Sequence, residues 1–228
     1  MQKELFEKIL LDDNVVEKFY EEYRGKGEFS QWLDSLCPEV AMCDKQQQNN
    51  PWHKYNVLTH ILHSVQAMNG QTKDLPDADR LMLAYVMFFH DIGKPECHIT
   101  RMKDGRLIDS FFNHNIASEK VARRVLNQLS FDKSIIDTIC KLVLKHDMFM
   151  FIRLNASDNK YHKVLNNDLI REEITDLNSI GNGQKLLKYL LKVGRSDNLA
   201  QNEKMTGESL RMLDEFERML DDFANIKM

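Results

Sequence analysis

The amino-acid sequence predicts an all-α, single-domain protein with one short β-hairpin near residues 98–111. Glycine and proline are scarce, at nine and four of 228 residues. Over long stretches the apolar residues recur at the three- to four-residue spacing of a helix. Only one place carries a hairpin signal: Asp104-Gly105, between two runs of β-branched or apolar residues.

The composition is that of a soluble globular protein, with 43% hydrophobic and 29% charged residues. A net charge of -4 argues against a broad nucleic-acid surface, although it is compatible with a local basic patch. Residues 1–14 do not read as a signal peptide, and no apolar run approaches the roughly 20 residues that span a bilayer. The four cysteines form no CxxC pair. We therefore expect reduced thiols, a cytoplasmic location and no membrane association.

The N-terminal part predicts helices in QKELFEKILL and NVVEKFYEEY, followed by a polar loop, DKQQQNN, at residues 44–50. Asn50 can cap a helix whose first position is Pro51, where the missing N–H is not needed. That helix is expected to run to Asn69.

The next helix is expected from Pro76-Asp77, where acidic residues suit a first turn, to Gly93. Further helices are predicted at 114–129, 133–147, 167–177, 183–203 and 207–225. The last of them is amphipathic, with an acidic outer face, and could pack on the core or on a partner.

The apolar segment from Leu81 to Phe89 ends in His90-Asp91, and these two titratable groups suggest a metal site. A helix C-terminus carries partial negative charge, which suits a cation, and imidazole with carboxylate suits Zn, Mn, Fe or Ni. The simpler interpretation is a helix end that reaches water. Gly93 permits a tight reversal of the chain, and Lys94 places a cation where an anionic ligand such as phosphate could bind.

A second dipeptide of the same kind, His146-Asp147, ends another apolar helix. The dipeptide alone therefore does not identify the site. The first differs from the second in the Ile92-Gly93-Lys94 that comes directly after it.

Three histidines lie in the predicted first long helix. His53 and His60 share one margin of its apolar face and His63 lies on the other, so periodicity does not choose between His60 and His63. The remaining histidines have structural, capping or solvent-facing interpretations: His98, His114 and His162.

Asp197 lies within an apolar helical pattern, LLKVGRSDNLA, where a carboxylate is unfavourable to bury unless it pairs with a cation or a metal. Arg195 is two positions away and would point elsewhere on a regular helix. Asp197 therefore stands out among the acidic residues.

In this order, the residues resemble the HD superfamily of metal-dependent phosphohydrolases. The segments NNPWHKYNVLTHILHSV, FFHDIGKP, FFNHNIASEKVARRVLNQL and LVLKHD are similar to the HD domain carried by many bacterial tRNA nucleotidyltransferases. The similarity covers about residues 50 to 200. It implies a helical HD metal-binding domain at 50–203. The flanking segments are predicted as an N-terminal helical extension packed on the core (1–49) and a C-terminal amphipathic helix (204–228).

The resemblance also implies the ligands. It assigns His60, His90, Asp91 and Asp197 to a first ion. His114 and His146 match positions that hold a second ion in binuclear members, where the dyad aspartate bridges both. It prefers His60 to His63 and leaves Asp147 outside the site.

The function implied is hydrolysis of a phosphoester by metal-activated water, with one or two divalent ions (Mn, Ni, Co, Zn, Fe or Mg). Asp91 and Lys94 are the predicted catalytic residues. Lys94 is also a predicted substrate contact, with Arg195 and Arg153 as weaker candidates. A small phosphorylated substrate, a nucleotide by family analogy, is expected, and nucleic acid is less favoured.

The chain departs from the nucleotidyltransferases because about 50 residues that read as helices stand where those proteins carry a polymerase head. CCA addition is therefore not expected. Two alternatives stay open at this point: an HD-type di-iron oxygenase and a non-catalytic nucleotide- or RNA-binding module.

Overall fold

The computed structural model describes residues 1–156 and 159–225 and confirms an all-α fold with a small hairpin. In the described part of the chain the α-helices are α1 Gln2–Leu10, α2 Val15–Arg24, α3 Glu28–Leu36, α4 Glu39–Lys45, α5 Val57–Gln71, α6 Asp77–Phe89, α7 His114–Gln128, α8 Lys133–Lys145, α9 Asn167–Leu177, α10 Gly183–Leu199 and α11 Glu203–Asn225. The strands are β1 His98–Lys103, β2 Arg106–Phe111, β3 Ile152–Arg153 and β4 Lys163–Val164. Short 3-10 turns cover Lys94–Cys97 and Met148–Phe151.

The N-terminal helices pack on α5 and α6 through aromatic side chains. The ring of Phe6 in α1 lies 4.9 Å from that of Phe88 and 5.9 Å from that of Tyr85, both edge-on. One hydrophobic core extends from Phe6 to Phe223 in α11. The predicted segment boundaries at 49/50 and 203/204 stay predictions, whereas α3 and α4 are helices that the sequence patterns did not indicate.

The predicted start of the first long helix at Pro51 is wrong, because α5 begins at Val57. Its N-cap is Asn56, whose side chain accepts a hydrogen bond from the Thr59 amide. Asn50 instead accepts from the Trp52 amide at 3.2 Å and from the His53 ring at 2.8 Å, which makes a local turn. The segment before α5 is therefore an ordered loop.

Helix α6 ends at Phe89, four residues before the predicted end at Gly93. Beyond it the backbone tightens: the Ile92 amide bonds the Phe89 carbonyl at 3.3 Å, and the Lys94 amide bonds the Asp91 carbonyl at 3.0 Å. These three-residue steps replace the helical ladder just where His90 and Asp91 stand.

Gly93 does not act through a positive φ, as the predicted chain reversal suggested, because its φ is -84°. A Cβ at this position would lie 2.4 Å from the Ser118 amide nitrogen and 2.6 Å from the Ala117 side chain. The Gly93 amide also donates to the Ser118 hydroxyl at 2.9 Å. The glycine thus lets α7 press directly against the turn that holds His90 and Asp91.

The hairpin prediction is confirmed. Strands β1 and β2 are antiparallel, with His98 opposite Phe111 and Lys103 opposite Arg106. Between them, Asp104 and Gly105 have φ values of 51° and 74°, as a two-residue type I′ turn requires. The pair β3–β4 is a short parallel bridge that the sequence patterns did not indicate.

The later helices lie where the sequence predicts them, with shifted ends. Helix α10 stops at Leu199 rather than at 203, and α11 begins at Glu203 rather than at 207. Asn202 stands between them, and it donates from its backbone to the Trp52 carbonyl and from its side chain to the Pro51 carbonyl. Within the described residues no helix has both the length and the apolar character needed to cross a membrane.

Candidate metal centre

Five helices bring the six predicted ligands together. The ligands lie in the first turn of α5, at the ends of α6 and α8, at the first residue of α7 and in the last turn of α10. Over the described residues these side chains form two groups whose donor atoms lie within 4.8 Å of one another, namely His60, His90, Asp91 and Asp197, and Asp91, His114 and His146. This buried His/Asp cluster could hold metal ions.

In the first group the donor atoms surround a common point. The Nε2 of His60 lies 3.0 Å from the Asp197 Oδ1, 3.1 Å from the Asp91 Oδ2 and 3.3 Å from the His90 Nε2. The Nε2 of His90 lies 3.4 Å from the Asp91 Oδ2 and 3.8 Å from the Asp197 Oδ1.

The second group uses the other oxygen of the same carboxylate. The Asp91 Oδ1 lies 3.1 Å from the His114 Nε2 and 3.6 Å from the His146 Nε2, and the two nitrogens are 3.1 Å apart. Asp91 thus presents Oδ2 to one group and Oδ1 to the other, so that one carboxylate could supply a ligand atom to each of two ions.

The spacing fits a transition-metal ion. With metal–nitrogen and metal–oxygen distances of about 2.0–2.2 Å, two donors of one ion lie about 2.9–3.4 Å apart at right-angle to tetrahedral geometry. Most donor separations in both groups fall in that range. Imidazole with carboxylate oxygen suits Zn, Mn, Fe, Co or Ni. The donor set does not decide between these metals.

Backbone carbonyls fix the orientation of the rings. The Nδ1 of His90 lies 2.6 Å from the Met87 carbonyl, and the Nδ1 of His114 and of His146 each lie 2.7 Å from the carbonyl three residues earlier. The Nδ1 of His60 has a longer contact, 3.4 Å, with the Ala200 carbonyl. Since a carbonyl only accepts, each Nδ1 carries the proton and leaves Nε2 free to bind a metal.

Burial raises the pKa of the Asp91 carboxyl, but the charges of Lys94 and the surrounding histidines lower it by more, so the pKa lies well below its ordinary value. Burial likewise raises the pKa of Asp197, and hydrogen bonds from His60 and His90 bring it well below the ordinary value. Both aspartates are therefore ionised and ready to bind a cation.

In each group, contacts with aspartate favour the protonated form of one histidine, His60 in the first and His146 in the second. Burial lowers the pKa of His60, but hydrogen bonds to Asp197 and Asp91 outweigh it and raise the pKa to about 9. Burial also lowers the pKa of His146, and its contact with Asp91 again raises it above the ordinary value. His90 has a lowered pKa because burial prevails. A positive charge is thus favoured in each group, and a divalent cation would displace the proton.

Lys94 is buried beside Asp91, the carboxylate that the two groups share. Its Nζ is 2.6 Å from the Asp91 Oδ2, 2.8 Å from the Gln48 Oε1 and 3.2 Å from the His53 Nε2. These three acceptors use all three N–H donors of the ammonium. Lys94 is therefore placed to hold Asp91, and a direct contact with phosphate would displace one of its partners.

Two partners of this lysine, Gln48 and His53, were not predicted from the sequence. His53 donates from Nδ1 to the Asn50 side chain, so its Nε2 accepts from Lys94. Burial and the nearby Lys94 lower the pKa of His53 to about 2, which keeps the ring neutral. The sequence marked His53 as a neighbour of His60 on a predicted helix; it lies instead in the loop before α5, with its ring 5.1 Å from that of His60. Nothing local marks Gln48, a buried glutamine in a polar run.

The other candidates lie elsewhere. Arg195 points to α11, where its guanidinium pairs with Asp214 at 2.7 Å and Glu217 at 3.1 Å, so the predicted substrate contact has no support in its placement. Arg153 bonds to backbone carbonyls and to the His162 ring. His63 stacks on Tyr55, away from the cluster.

One ligand of each group reaches solvent. The side chains of Asp197 and His114 are 17% and 14% exposed, whereas the other four ligands are at most 3% exposed. The cluster is therefore accessible to solvent along the edge between Asp197 and His114.

No protein-family model matches this chain, and no curated protein matches it in sequence. The resemblance to HD domains stays a prediction, and the geometry of the centre carries the functional conclusion.

Proposed function

We propose that this chain is a metal-dependent phosphohydrolase, a phosphatase or phosphodiesterase that acts on a nucleotide or a related phosphoester. The observation that carries the proposal is the shared carboxylate of Asp91, with one oxygen in each of two adjacent His/Asp groups. Paired metal sites of this kind serve hydrolysis of phosphoesters, and the HD resemblance favours the same reaction.

The number of donors also favours catalysis over a structural role. The first group offers four protein donors and the second offers three. Three protein ligands leave a position for water or substrate in a tetrahedral site, and six-coordinate ions would keep open positions in both groups. The bound ions would lower the pKa of a water and neutralise charge on the phosphate.

The charge of the centre favours an anionic substrate. Its two carboxylates and the Lys94 ammonium sum to -1 with neutral histidines. Two divalent cations would therefore leave surplus positive charge in a buried place. A phosphate ester that approaches between Asp197 and His114 would be attracted to it, because burial strengthens the interaction.

Within this proposal the side chains have distinct tasks. Asp91 holds the two groups at a fixed separation, and the backbone carbonyls keep each Nε2 directed inward. Lys94 acts through Asp91, since its ammonium keeps that carboxylate ionised and in place. Preorganisation of this kind means that little has to rearrange during the reaction.

The test combines metal analysis of protein purified without chelator with a panel of phosphomonoesters, phosphodiesters and cyclic nucleotides, assayed with Mn²⁺, Co²⁺, Ni²⁺ and Mg²⁺. We expect up to two ions per chain and hydrolysis of at least one substrate class. No bound metal together with no hydrolysis would contradict the proposal. Two irons with oxygen uptake and no hydrolysis would replace it by the oxygenase alternative.

A further inference from the structure

Three cations share one face of the hairpin: Arg101, Lys103 and Arg106, here called the basic face. Arg101 and Lys103 alternate along β1, and Arg106 stands directly opposite Lys103, so the three side chains project to the same side. All are exposed, and in the described part of the chain none of them forms an ion pair. Like charges directly opposite one another destabilise a ladder, which points to a binding role for this pair.

Within the described residues, the two aspartates of the hairpin form no ion pair with these three cations. Asp109 lies on the other face and is buried, where it accepts from the His98 ring, the Thr100 hydroxyl and the Asn49 amide. Asp104 stands in the turn. A chain with a net charge of -4 thus displays a local concentration of positive charge.

Two exposed aromatic rings adjoin the basic face. The Nζ of Lys103 lies 5.9 Å from the ring of Trp52, and the guanidinium of Arg101 lies 5.0 Å from the ring of Phe112. The two rings are 41% and 57% exposed. Exposed aromatic rings beside unpaired cations are the elements of a surface that stacks bases and contacts phosphates.

This surface is joined to both halves of the metal centre. Trp52 directly precedes His53, which accepts from Lys94 beneath Asp91. At the other end, Phe112 comes directly after Phe111, whose carbonyl accepts from the Nδ1 of His114. Trp52 is thus next in the chain to a partner of Lys94, and Phe112 is two positions from His114, the exposed ligand of the second group.

We propose that the basic face, with Trp52 and Phe112, binds single-stranded nucleic acid. A single strand is favoured over a duplex because bases must be unstacked to reach aromatic side chains, and because three cations are few for a duplex footprint. Binding itself does not require hydrolysis. The assignment of the bound strand as the substrate of the metal centre rests on the proposed function.

The test is fluorescence anisotropy with labelled twelve-nucleotide oligo(U) and oligo(dT), with a duplex of equal length and with a mononucleotide. The full chain is compared with the triple variant Arg101→Ala, Lys103→Ala, Arg106→Ala. We expect the triple variant to bind either single strand at least tenfold more weakly. The slope of log K against the logarithm of the salt concentration should also be smaller in magnitude by about 2 for the triple variant. Each of the three lost phosphate contacts contributes roughly 0.7 to this slope.

A matched control removes three other exposed cations for which no ion pair is found in the described residues: Lys8→Ala, Lys26→Asn and Arg211→Ala. Asparagine is chosen at position 26 because the backbone there has a φ of 51°. This control changes the net charge by the same amount and should bind like the wild type. Equal losses in the two triple variants would show a general charge effect and overturn the proposal.

Intrinsic fluorescence adds a local readout. The chain has two tryptophans, and Trp32 packs against the core whereas Trp52 is exposed. Oligonucleotide binding should quench the emission of the wild type. Trp52→Phe should lose the quenching but retain affinity, because the smaller ring still stacks, whereas Trp52→Ala should weaken binding about tenfold.

Duplex binding as tight as single-strand binding, or mononucleotide binding as tight as that of either twelve-nucleotide strand, would contradict the inference. A preference for oligo(U) or for oligo(dT) identifies whether the surface binds RNA or DNA. Strand binding without any hydrolysis on the substrate panel would support this surface and count against the proposed function, whereas hydrolysis of small esters without strand binding would do the reverse.

Discussion

The chain contains two His-Asp dipeptides at the ends of apolar helices, and only one of them contributes both side chains to the centre. His90 and His146 are alike: each comes after a helix as its right-handed C-cap, and each donates from Nδ1 to the carbonyl three residues earlier. The aspartates differ. Asp91 is buried among the ligands, whereas Asp147 is partly exposed and begins a 3-10 turn.

The residues directly after each dipeptide explain the difference. After Asp91, Gly93 allows close contact with α7, and Lys94 returns beneath the carboxylate. After Asp147 come Met148 and Phe149, and the described residues provide no ion pair for its carboxylate. The end of a helix can therefore orient a histidine by itself, but a buried carboxylate also needs a nearby cation, and Lys94, three residues further along the chain, supplies it to Asp91.

The largest expected effect separates the two aspartates directly. Asp91→Asn removes the shared charge of both groups, and we expect phosphoester hydrolysis to fall about a thousandfold or more, with loss of bound metal. Asp147→Asn, the matched control, should remain within about threefold of the wild type. Both variants are compared with the wild type by their steady-state rates of hydrolysis and by their content of bound metal. Similar losses in the two variants would mean that the wrong dipeptide was assigned.

The next effect concerns the cation beneath Asp91. Lys94→Met keeps most of the side-chain volume but removes the ammonium, so metal affinity or activity should fall by about 10- to 100-fold, as for other partners of metal ligands. His53→Gln should lower metal affinity or activity by less than Lys94→Met does, because Gln48 and Asp91 still hold the lysine. Titration of the metal-free proteins with metal ranks the variants by their affinity. A Lys94→Met protein with unchanged affinity would argue that Asp91 does not depend on this lysine.

Metal affinity should also depend on pH. Because the pKa of His60 is raised to about 9 in the metal-free protein, each ion in the first group displaces a proton at neutral pH. Apparent affinity should therefore rise about tenfold per pH unit up to about pH 9. The sign for stability is opposite: a raised pKa stabilises the metal-free fold below pH 6.5, and this contribution is lost as the pH rises through 9.

Titration calorimetry in buffers of different ionisation enthalpy counts the protons released. Affinity that is independent of pH between 6.5 and 9 would contradict a protonated His60. Thermal unfolding of the metal-free chain over the same range gives the second check.

The smallest expected effect on activity comes from a change in packing at Gly93, where the measured quantity is the free energy of unfolding. Gly93→Ala should destabilise the fold by about 1–3 kcal/mol, because its Cβ would clash with the backbone of α7. Gly70→Ala is the control: it lies in α5 with nothing within 4 Å, and alanine there should stabilise by about 0.5–1 kcal/mol. Denaturant unfolding measures both. Equal stability of the two variants would remove the packing role assigned to Gly93.

The fold class and the hairpin could be predicted from the sequence because both depend on local signals, helical spacing and the Asp104-Gly105 turn. The residues alone also marked both dipeptides and Asp197 as unusual. They could not select His60 over His63, because both flank the buried face of α5; the HD resemblance made that choice, and the structure places only His60 in the cluster.

Other features depend on tertiary contacts. The sequence could not show the surroundings of Arg195, a weaker candidate for a substrate contact, because the two carboxylates that pair with its guanidinium come from α11. Gln48 carries no local signal, since its role arises only when the loop before α5 meets Lys94. Contacts between distant segments cannot be read from spacing.

We propose that the Asp91 carboxylate is shared by two ions, and the metal-to-protein ratio tests this proposal most directly. After removal of metal, the wild type is saturated with Co²⁺ or Mn²⁺ and measured by elemental analysis, beside His114→Ala and Asp91→Asn. We predict two ions per chain for the wild type, one for His114→Ala and at most a weakly held fraction for Asp91→Asn. A ratio of two that persists in Asp91→Asn would contradict the bridge.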